Sequence, residues 1–125
     1  GGGCVFTPVF TYPDSKELRE HLCGAAGKVV GSVWEGGGYG ATQGQRLETA
    51  GEINRLEKDG CDIVGMTAMP EAILARELGM QYANVSLVVN MAAGRSEGLI
   101  TMDDIQRVLD AGMGRVRALL SAVVA

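Results

Sequence analysis

The sequence is poor in the side chains that build metal sites and nucleophilic triads. Its 125 residues contain one histidine, His21, and three cysteines, Cys4, Cys23 and Cys61, whose spacing matches neither a zinc site nor a redox motif. We therefore expect no protein-built metal site and no Ser-His-Asp or Cys-His catalytic centre. His21 is expected on a charged helical surface, and the cysteines as small buried residues in a reducing cytoplasm.

Excess basic charge and long apolar runs are also lacking. The formal net charge is −4 and no basic stripe is visible, so the sequence gives no reason to expect a nucleic-acid partner. The longest apolar runs, such as Val85–Val89, are far too short to span a bilayer. No signal peptide is visible and the first residue is Gly1, which leads us to expect a trimmed, cleaved or incomplete chain.

What remains is the composition of one globular domain over residues 1–125. Hydrophobic residues make up 46% of the chain and charged residues 21%, which is enough for a core with a normal surface. Short apolar runs bounded by turn residues alternate with helical patterns, and this predicts an α/β fold with a parallel or mixed sheet and flanking helices. The strand candidates are Val5–Phe10, Lys28–Trp34, Tyr39–Gln43, Asp62–Met66 and Ala83–Val89.

Capping signals mark four helices, three of them between these strands and one after the last. The first is predicted to begin at a capping box of Asp14 and Glu17 and to end at Gly24 or Gly27. The second begins at Thr49, with Glu52 three residues later, and ends at Gly60. The third runs from Pro70 to Leu78 and is closed by Gly79, and the last begins after Thr101 and carries one apolar stripe.

The stretch around the third helix is predicted to be the centre of the fold. Asp62–Met66 reads as a strand buried on both faces, followed by the helix from Pro70 and by Ala83–Val89. Strand, helix and strand in so few residues predict a right-handed βαβ unit in a parallel sheet.

Polar side chains follow three predicted strands at their carboxyl ends. These segments are Gln43–Glu48, Met66–Thr67 and Asn90–Ala92. The carboxyl ends of parallel strands share one edge of a sheet, where α/β proteins bind ligands. The set suits a flat heteroaromatic ligand beside an anion. Each residue also has a purely structural interpretation: Asn90 as a turn residue, Thr67 as a helix cap, Glu48 as a first-turn charge and Met66 as core.

Several motifs in this order resemble the C-terminal half of one family. It is the family of trimeric purine nucleoside phosphorylases and 5′-methylthioadenosine phosphorylases, nearest to its S-methyl-5′-thioinosine phosphorylase branch. The resemblance is firm over about residues 39–125 and loose over 5–30. The motifs are Thr42–Thr49 (TQGQRLET), Asp62–Ala72 (DIVGMTAMPEA), Leu74–Leu78, Tyr82–Ala83 and Val88–Asn90.

The resemblance implies an enzyme that splits a purine nucleoside with inorganic phosphate. The expected reaction converts S-methyl-5′-thioinosine to hypoxanthine and a methylthioribose 1-phosphate, in purine salvage, without a cofactor or a metal. A homotrimer is implied as well. An inosine or guanosine phosphorylase is the alternative within the family. A non-catalytic module that binds purine or assembles with partners is the alternative outside it, because the family's N-terminal half, with its glycine-rich phosphate loop and Arg-His pair, has no counterpart here.

The resemblance also implies roles around the sugar and the phosphate. Thr67 matches the phosphate-binding hydroxyl, and Met66 matches the side chain along the sugar. Leu47 matches the residue that stacks on the base, and Met102 matches a position near the 5′-group. Thr7 stands where relatives often carry a histidine that reaches toward a neighbouring subunit.

On the base side, Asn90 matches the catalytic residue that contacts N7 and the 6-substituent, with Met91 and Ala92 beside it. A neutral amide can donate to a 6-oxo group while its carbonyl accepts from a protonated N7. Adenine-cleaving relatives carry aspartate at this position and a second aspartate at the position of Ala92. Glu48 matches a position that sorts substrates, and it can accept from the N1–H that adenine lacks. Both residues point to a 6-oxopurine.

Overall fold

The computed structural model of the protein describes residues 10, 12–31 and 33–125. These residues fold into helices and a small parallel sheet, which is the α/β class that the sequence predicts. Within them, no helix is long and apolar enough to cross a membrane. The predicted strand Val5–Phe10 lies outside the described residues except for Phe10, and so do Cys4 and Thr7. The elements are α1 (Lys16–Val29), β1 (Tyr39–Ala41), α2 (Ala50–Lys58), β2 (Ile63–Gly65), α3 (Ala68–Glu77) and α4 (Met102–Val124).

β1 and β2 pair in parallel, with Gly40 opposite Val64. Helix α2 connects them, so the βαβ unit of the described structure is β1–α2–β2. The strands predicted at Tyr39–Gln43 and Asp62–Met66 are confirmed, although residues 63–65 are half-buried rather than buried on both faces.

Helix α2 lies very close to the sheet because β1 has a glycine at its centre. Ile53 and Leu56 are 4% and 8% exposed and form the buried face of the helix. A β-carbon at Gly40 would lie 3.0 Å from Cys61 Sγ and 3.3 Å from Leu56 Cδ2 and from Val64 Cγ1. The side-chain-free residue therefore allows this approach between helix and strand.

Helix α1 differs from its prediction at both ends. Its N-cap is Ser15, whose hydroxyl accepts from the Leu18 backbone N–H, and not Asp14. It runs through Gly24 and Gly27 to Val29, because a glycine inside a helix costs only about 1 kcal/mol and packing can outweigh that cost.

The packing that extends α1 is its contact with α4. Leu22 and Ala26 form a buried cluster with Leu119 of α4. The strand predicted at Lys28–Trp34 is consequently wrong: Lys28 and Val29 are helical, and residues 33 and 34 belong to no strand.

The strand predicted at Ala83–Val89 is also wrong. These residues adopt no regular structure, and the only sheet among the described residues has two strands, β1 and β2. A strand needs a neighbouring strand with which to exchange backbone hydrogen bonds. Here hydrogen bonds with Asp14 and Ser15, just before α1, hold the segment instead. The Ser15 N–H donates to the Tyr82 carbonyl at 2.6 Å, and the Asn84 N–H donates to Asp14 Oδ2 at 3.4 Å. The βαβ unit predicted from Asp62 to Val89 does not form in the described structure.

The last two helices agree with their capping signals. α3 begins at Ala68, two residues before the predicted start, and keeps Pro70 in its first turn. Gly79 follows it with φ +68°, the left-handed conformation that glycine adopts at helix ends. Thr101 caps α4 by accepting from the Asp104 N–H at 3.2 Å. These starts are encoded locally, and this is why the sequence predicts them.

Candidate active site

The loop from Thr42 to Thr49 leaves the carboxyl end of β1 and enters α2. Its first residue stays attached to the sheet, because the Thr42 N–H donates to the Gly65 carbonyl at 2.9 Å. Gln45 then turns the chain with φ +72°. At the far end the Thr49 hydroxyl caps α2 by accepting from the Glu52 N–H, as the capping box predicts. The loop is therefore anchored at both ends.

An ion pair holds the middle of this loop. The Arg46 guanidinium donates to both carboxylate oxygens of Glu52, at 3.1 and 2.9 Å, and also to the Leu47 carbonyl at 3.2 Å. The hydrogen bond from Arg46 lowers the pKa of Glu52, and the same bond raises the pKa of Arg46. The pair is exposed, so it contributes little to global stability, but its two-pronged geometry fixes the loop locally.

Leu47 and Glu48, the two base-side residues predicted in this loop, have different surroundings. Leu47 is 44% exposed, as expected of a side chain available to stack on a ligand. Glu48 is half-buried, and its Oε1 accepts from the Thr42 hydroxyl at 2.6 Å. The Glu48 carboxylate therefore lies beside the end of β1.

The junction of β2 and α3 places Met66 and Thr67 next to this loop. Met66 is half-buried, and a β-carbon at Gly44 would lie 3.9 Å from Met66 Cβ and Sδ. Thr67 is exposed at the N-cap position of α3, yet its side chain makes no capping hydrogen bond. Thr67 thus occupies the cap position that its structural interpretation gives it, but its hydroxyl is not used for capping and stands at a helix N-terminus, where an anion is favoured.

The third predicted segment begins with Asn90, which is half-buried. Its side-chain amide donates to the Met91 carbonyl at 2.8 Å. The Ala92 carbonyl accepts from the Arg95 N–H at 3.0 Å, which closes a turn. The interpretation of Asn90 as a turn residue thus has a local basis, although one of its two amide hydrogens is left over from the bond to Met91.

Two contacts attach this turn to α2. A β-carbon at Gly94 would lie 2.9 Å from Ala50 Cβ, so the turn touches the first residue of the helix. The Arg95 guanidinium donates to Asn54 Oδ1 at 3.0 Å and forms an ion pair with Glu57. The turn after Asn90 and the loop holding Glu48 therefore both meet helix α2.

Met102, the last predicted site residue, opens α4 and is 72% exposed. Its side chain is open to a ligand or to another chain and is not packed in the core. The loop of Glu48 comes close to Met66 at Gly44, and Met102 lies at the start of α4.

A cavity of about 1210 Å³ lies elsewhere, among α1, α3, α4 and β1. Its lining includes Leu22, Met69 and Leu119 and contains none of the predicted site residues. The cavity lining also carries carboxylate and amide groups, such as Asp62 and Asn84, whereas the predicted site residues lie on the loops outside it. No cluster of three potential metal ligands occurs in the described part of the chain, and His21 is exposed as predicted.

Three residues that organise the loops were not singled out from the sequence. They are Thr42, which donates to Glu48; Arg46, which holds the loop; and Arg95, which anchors the turn after Asn90. A weak signal existed for Arg46, since an arginine shortly before a capping-box glutamate can pair with it. Nothing in the residue spacing predicts the other two contacts, because both depend on the loop conformation.

Comparison with known proteins adds a family to this geometry. The model of the Phosphorylase superfamily matches residues 2–125. Over 115 residues the chain is 54% identical to a Pseudomonas syringae pathovar tomato protein named "Probable S-methyl-5′-thioinosine phosphorylase", covering 92% of this chain and 47% of that one. It is 39% identical over 115 residues to a "Probable 6-oxopurine nucleoside phosphorylase" of Thermococcus kodakarensis, covering 92% and 43%.

A solved structure shares the fold. Methylthioadenosine phosphorylase from Schistosoma mansoni, in complex with adenine, superimposes with a TM-score of 0.87 at 25% identity. The match covers 96% of this chain and 48% of that chain. The chain thus spans about half the length of the proteins it matches.

Proposed function

Since this chain belongs to the Phosphorylase superfamily, we propose that it is part of a phosphorylase of 6-oxopurine nucleosides, with S-methyl-5′-thioinosine as its substrate. The products are hypoxanthine and a methylthioribose 1-phosphate. Residues 1–125 correspond, on this proposal, to the C-terminal half of one phosphorylase domain. The observation that carries the proposal is the 54% identity, over 92% of this chain, to a protein named for that activity.

Phosphorolysis sets two demands on the site. As a phosphate oxygen bonds to C1′, the bond from C1′ to the base breaks and its electron pair leaves with the base, which takes up a proton. The sugar is positively charged in the transition state, so the enzyme stabilises the departing base and holds the phosphate beneath the ring.

The base side of the proposed site uses Asn90, Glu48 and Leu47. The Asn90 carbonyl accepts from the protonated N7, and the amide hydrogen not given to Met91 donates to the 6-oxo group. Glu48 accepts from N1–H, which adenine lacks. Leu47, with 44% of its surface exposed, covers the face of the base. Met91 and Ala92 border the base beside Asn90.

The sugar and phosphate side uses Thr67, Met66 and Met102. The Thr67 hydroxyl makes no capping bond and sits at the N-terminus of α3, so it can donate to a phosphate oxygen. Met66 lies along the sugar, and the exposed Met102 makes the 5′-end apolar, which favours a methylthio group over a hydroxyl. Inosine and guanosine are the competing substrates in this respect.

Assembly and compartment belong to the same proposal. We expect a homotrimer, which sedimentation analysis of the intact protein will test. Cys23 and Cys61 carry free thiols, which fits a reducing cytoplasm. Phosphate acts as co-substrate, and no cofactor or metal is required for this reaction.

The experiment is an assay of base release by the purified intact protein, with and without inorganic phosphate. We expect hypoxanthine from S-methyl-5′-thioinosine only when phosphate is present, with less from inosine and very little adenine from S-methyl-5′-thioadenosine. Release of no base from any of the three nucleosides would contradict the proposal. Uptake of hypoxanthine in calorimetry without any turnover would instead support a non-catalytic binding module.

An Asn90→Asp variant sharpens the assay. A carboxylate accepts hydrogen bonds but does not donate, so we expect the preference to shift toward the 6-amino nucleoside. Equal losses on both nucleosides would remove Asn90 from the account of specificity.

A further inference from the structure

Thr42 makes the shortest polar contact to a proposed substrate-sorting side chain. Its hydroxyl lies 2.6 Å from Glu48 Oε1 and 3.4 Å from the Gly65 carbonyl. A threonine hydroxyl has one hydrogen to donate, and the shorter distance assigns it to Glu48. Donation to a carboxylate is charge-assisted and stronger than donation to a neutral carbonyl. The Thr42 hydroxyl therefore donates its hydrogen to Glu48.

The backbone of Thr42 belongs to the sheet rather than to the loop. Its N–H donates to the Gly65 carbonyl at 2.9 Å, which extends the β1–β2 pairing by one residue. The hydroxyl is thus fixed by the parallel ladder, whereas Glu48 lies six residues later, in a segment without regular structure. Through this contact the sheet sets the position of the Glu48 side chain. The irregular backbone around Glu48 constrains that side chain less.

The other charged group nearby does not do this. The Arg46 guanidinium is engaged with both oxygens of Glu52 and with the Leu47 carbonyl, so it holds the loop backbone. Thr42 is the residue whose side chain reaches the Glu48 carboxylate in the described structure. Arg46 thus holds the loop backbone, whereas Thr42 holds the Glu48 side chain.

We infer that Thr42 is a positioning residue for Glu48 and thereby a determinant of base specificity. The inference rests on the proposed function. With Oε1 held by the Thr42 hydroxyl, Oε2 stays available to accept from the N1–H of a 6-oxopurine. A glutamate carboxylate accepts hydrogen bonds and donates none. A 6-aminopurine presents a lone pair at N1 and gains nothing from that carboxylate.

The test compares two nucleosides in the intact protein carrying Thr42→Val or Thr42→Ser. Valine keeps the approximate shape and removes the donor. Because hydrogen bonds to charged groups are the stronger ones, we expect Thr42→Val to lower kcat/KM for S-methyl-5′-thioinosine about 10- to 100-fold, and that for S-methyl-5′-thioadenosine by less than about 3-fold. Thr42→Ser restores most of the loss. Equal losses on both nucleosides would overturn the inference.

A double-mutant cycle with Glu48→Gln separates positioning from general damage. If Thr42 acts through Glu48, then Thr42→Val costs at most about 2-fold in the Glu48→Gln background, because residues acting as one unit are not additive. An undiminished effect in that background would contradict the inference. Arg46→Met is the matched control, since it loosens the loop while leaving the Thr42 contact. We expect it to lower kcat/KM for both nucleosides equally.

A structural measurement keeps this inference separate from the proposed function. Crystal structures of wild-type and Thr42→Val protein are expected to show one Glu48 conformer in the first and several in the second. An unchanged, single Glu48 conformer in Thr42→Val would overturn positioning even in an active enzyme. Failure of the wild type to release any base, with Glu48 mobile in Thr42→Val, would refute the activity and leave the positioning contact supported.

Discussion

Two stretches of this chain carry strand-like apolar runs, and only one of them forms β-strands. In the unit from β1 to β2, two short strands pair in parallel across helix α2. In the segment from Met80 to Ile100, the apolar run Ala83–Val89 resembles a strand in sequence as much as β1 or β2 does, but it pairs with no other strand of the described structure. Each stretch contains residues predicted for the candidate site.

The difference lies in what supplies the backbone hydrogen bonds. β1 and β2 satisfy each other, and the Asp62 N–H donates to the Gly38 carbonyl at 2.8 Å just before the pairing starts. The Ala83–Val89 segment is held instead by Asp14, just before α1, which accepts from the Asn84 N–H, and by α4, where Leu87 lies beside Gly112. Apolar character brings a segment to the core, but a strand forms only where a partner edge is present.

The largest effect is expected where the first region is most tightly packed. Gly40→Val places methyl groups against Cys61, Leu56 and Val64, which a β-carbon alone would already approach within 3.0 to 3.3 Å. Overpacking of this kind costs about 1–3 kcal/mol. We expect the free energy of unfolding, measured with urea, to fall by that amount.

Two readouts decide whether the loss comes from helix–sheet packing. Amide exchange at Thr42 and Asp62 should accelerate more than exchange in α4, because both N–H groups border the β1–β2 pairing. Gly40→Ala should give a smaller loss. Stability equal to wild type in Gly40→Val would show that α2 does not need the glycine to approach β1.

A smaller effect is expected in the second region, where two helical glycines form a matched pair. A β-carbon at Gly112 would lie 2.6 Å from Leu87 Cδ2, whereas one at Gly114 would meet nothing within 4 Å. Alanine is better than glycine in a helix by about 1 kcal/mol, so we expect Gly114→Ala to stabilise the protein by that amount. We expect Gly112→Ala to lose this gain and about 1 kcal/mol more, because Leu87 must move.

Amide exchange at Asn84 and Ser15 shows whether the loss of stability arises at residues 83–89. If the segment is held by its contact with α4, exchange at these two amides accelerates in Gly112→Ala and not in Gly114→Ala. Identical stability of the two variants would mean that residues 83–89 are not anchored at Leu87.

These regions also mark what sequence reasoning can reach. The caps at Thr49 and Thr101 follow from neighbours three residues away, and the structure confirms both. The ends of α1 depend on packing between Leu22 and Leu119, far apart in sequence, and the glycines at 24 and 27 gave the wrong end. Local chemistry is readable from the sequence, whereas the balance between local cost and distant packing is not.

The candidate site divides in the same way. The family resemblance named Leu47, Glu48, Thr67 and Asn90 as site residues, and their roles stay predictions. The contact between Thr42 and Glu48 was not predicted, because it requires the loop to turn back on the strand end. Residue types predict which chemistry a loop can supply, while the conformation decides which side chains share it.

The smallest effect concerns the ion pair that holds the loop of the first region. The bond from Arg46 lowers the pKa of Glu52, so the carboxylate form is favoured in the folded protein. Its contribution is fully present above the unfolded pKa of a glutamate, about 4.3, and is lost as the pH falls through the lower folded value. Raising the pH has no such effect, because the pKa of Arg46 is raised as well.

We therefore expect amide NMR signals of Gln45 and Arg46 to shift only below about pH 4, with the loop loosening before the fold is lost. The matched control is Glu52→Gln, in which the pH-dependent shift should be absent and the signals should resemble the acid form of the wild type. Strong salt should weaken the pair at neutral pH in the same direction, since Arg46 is exposed and Glu52 is only half-buried. A shift of equal size in Glu52→Gln would assign the loop's acid response to another group, and the ion pair would then not be what holds the loop backbone at Leu47 in place.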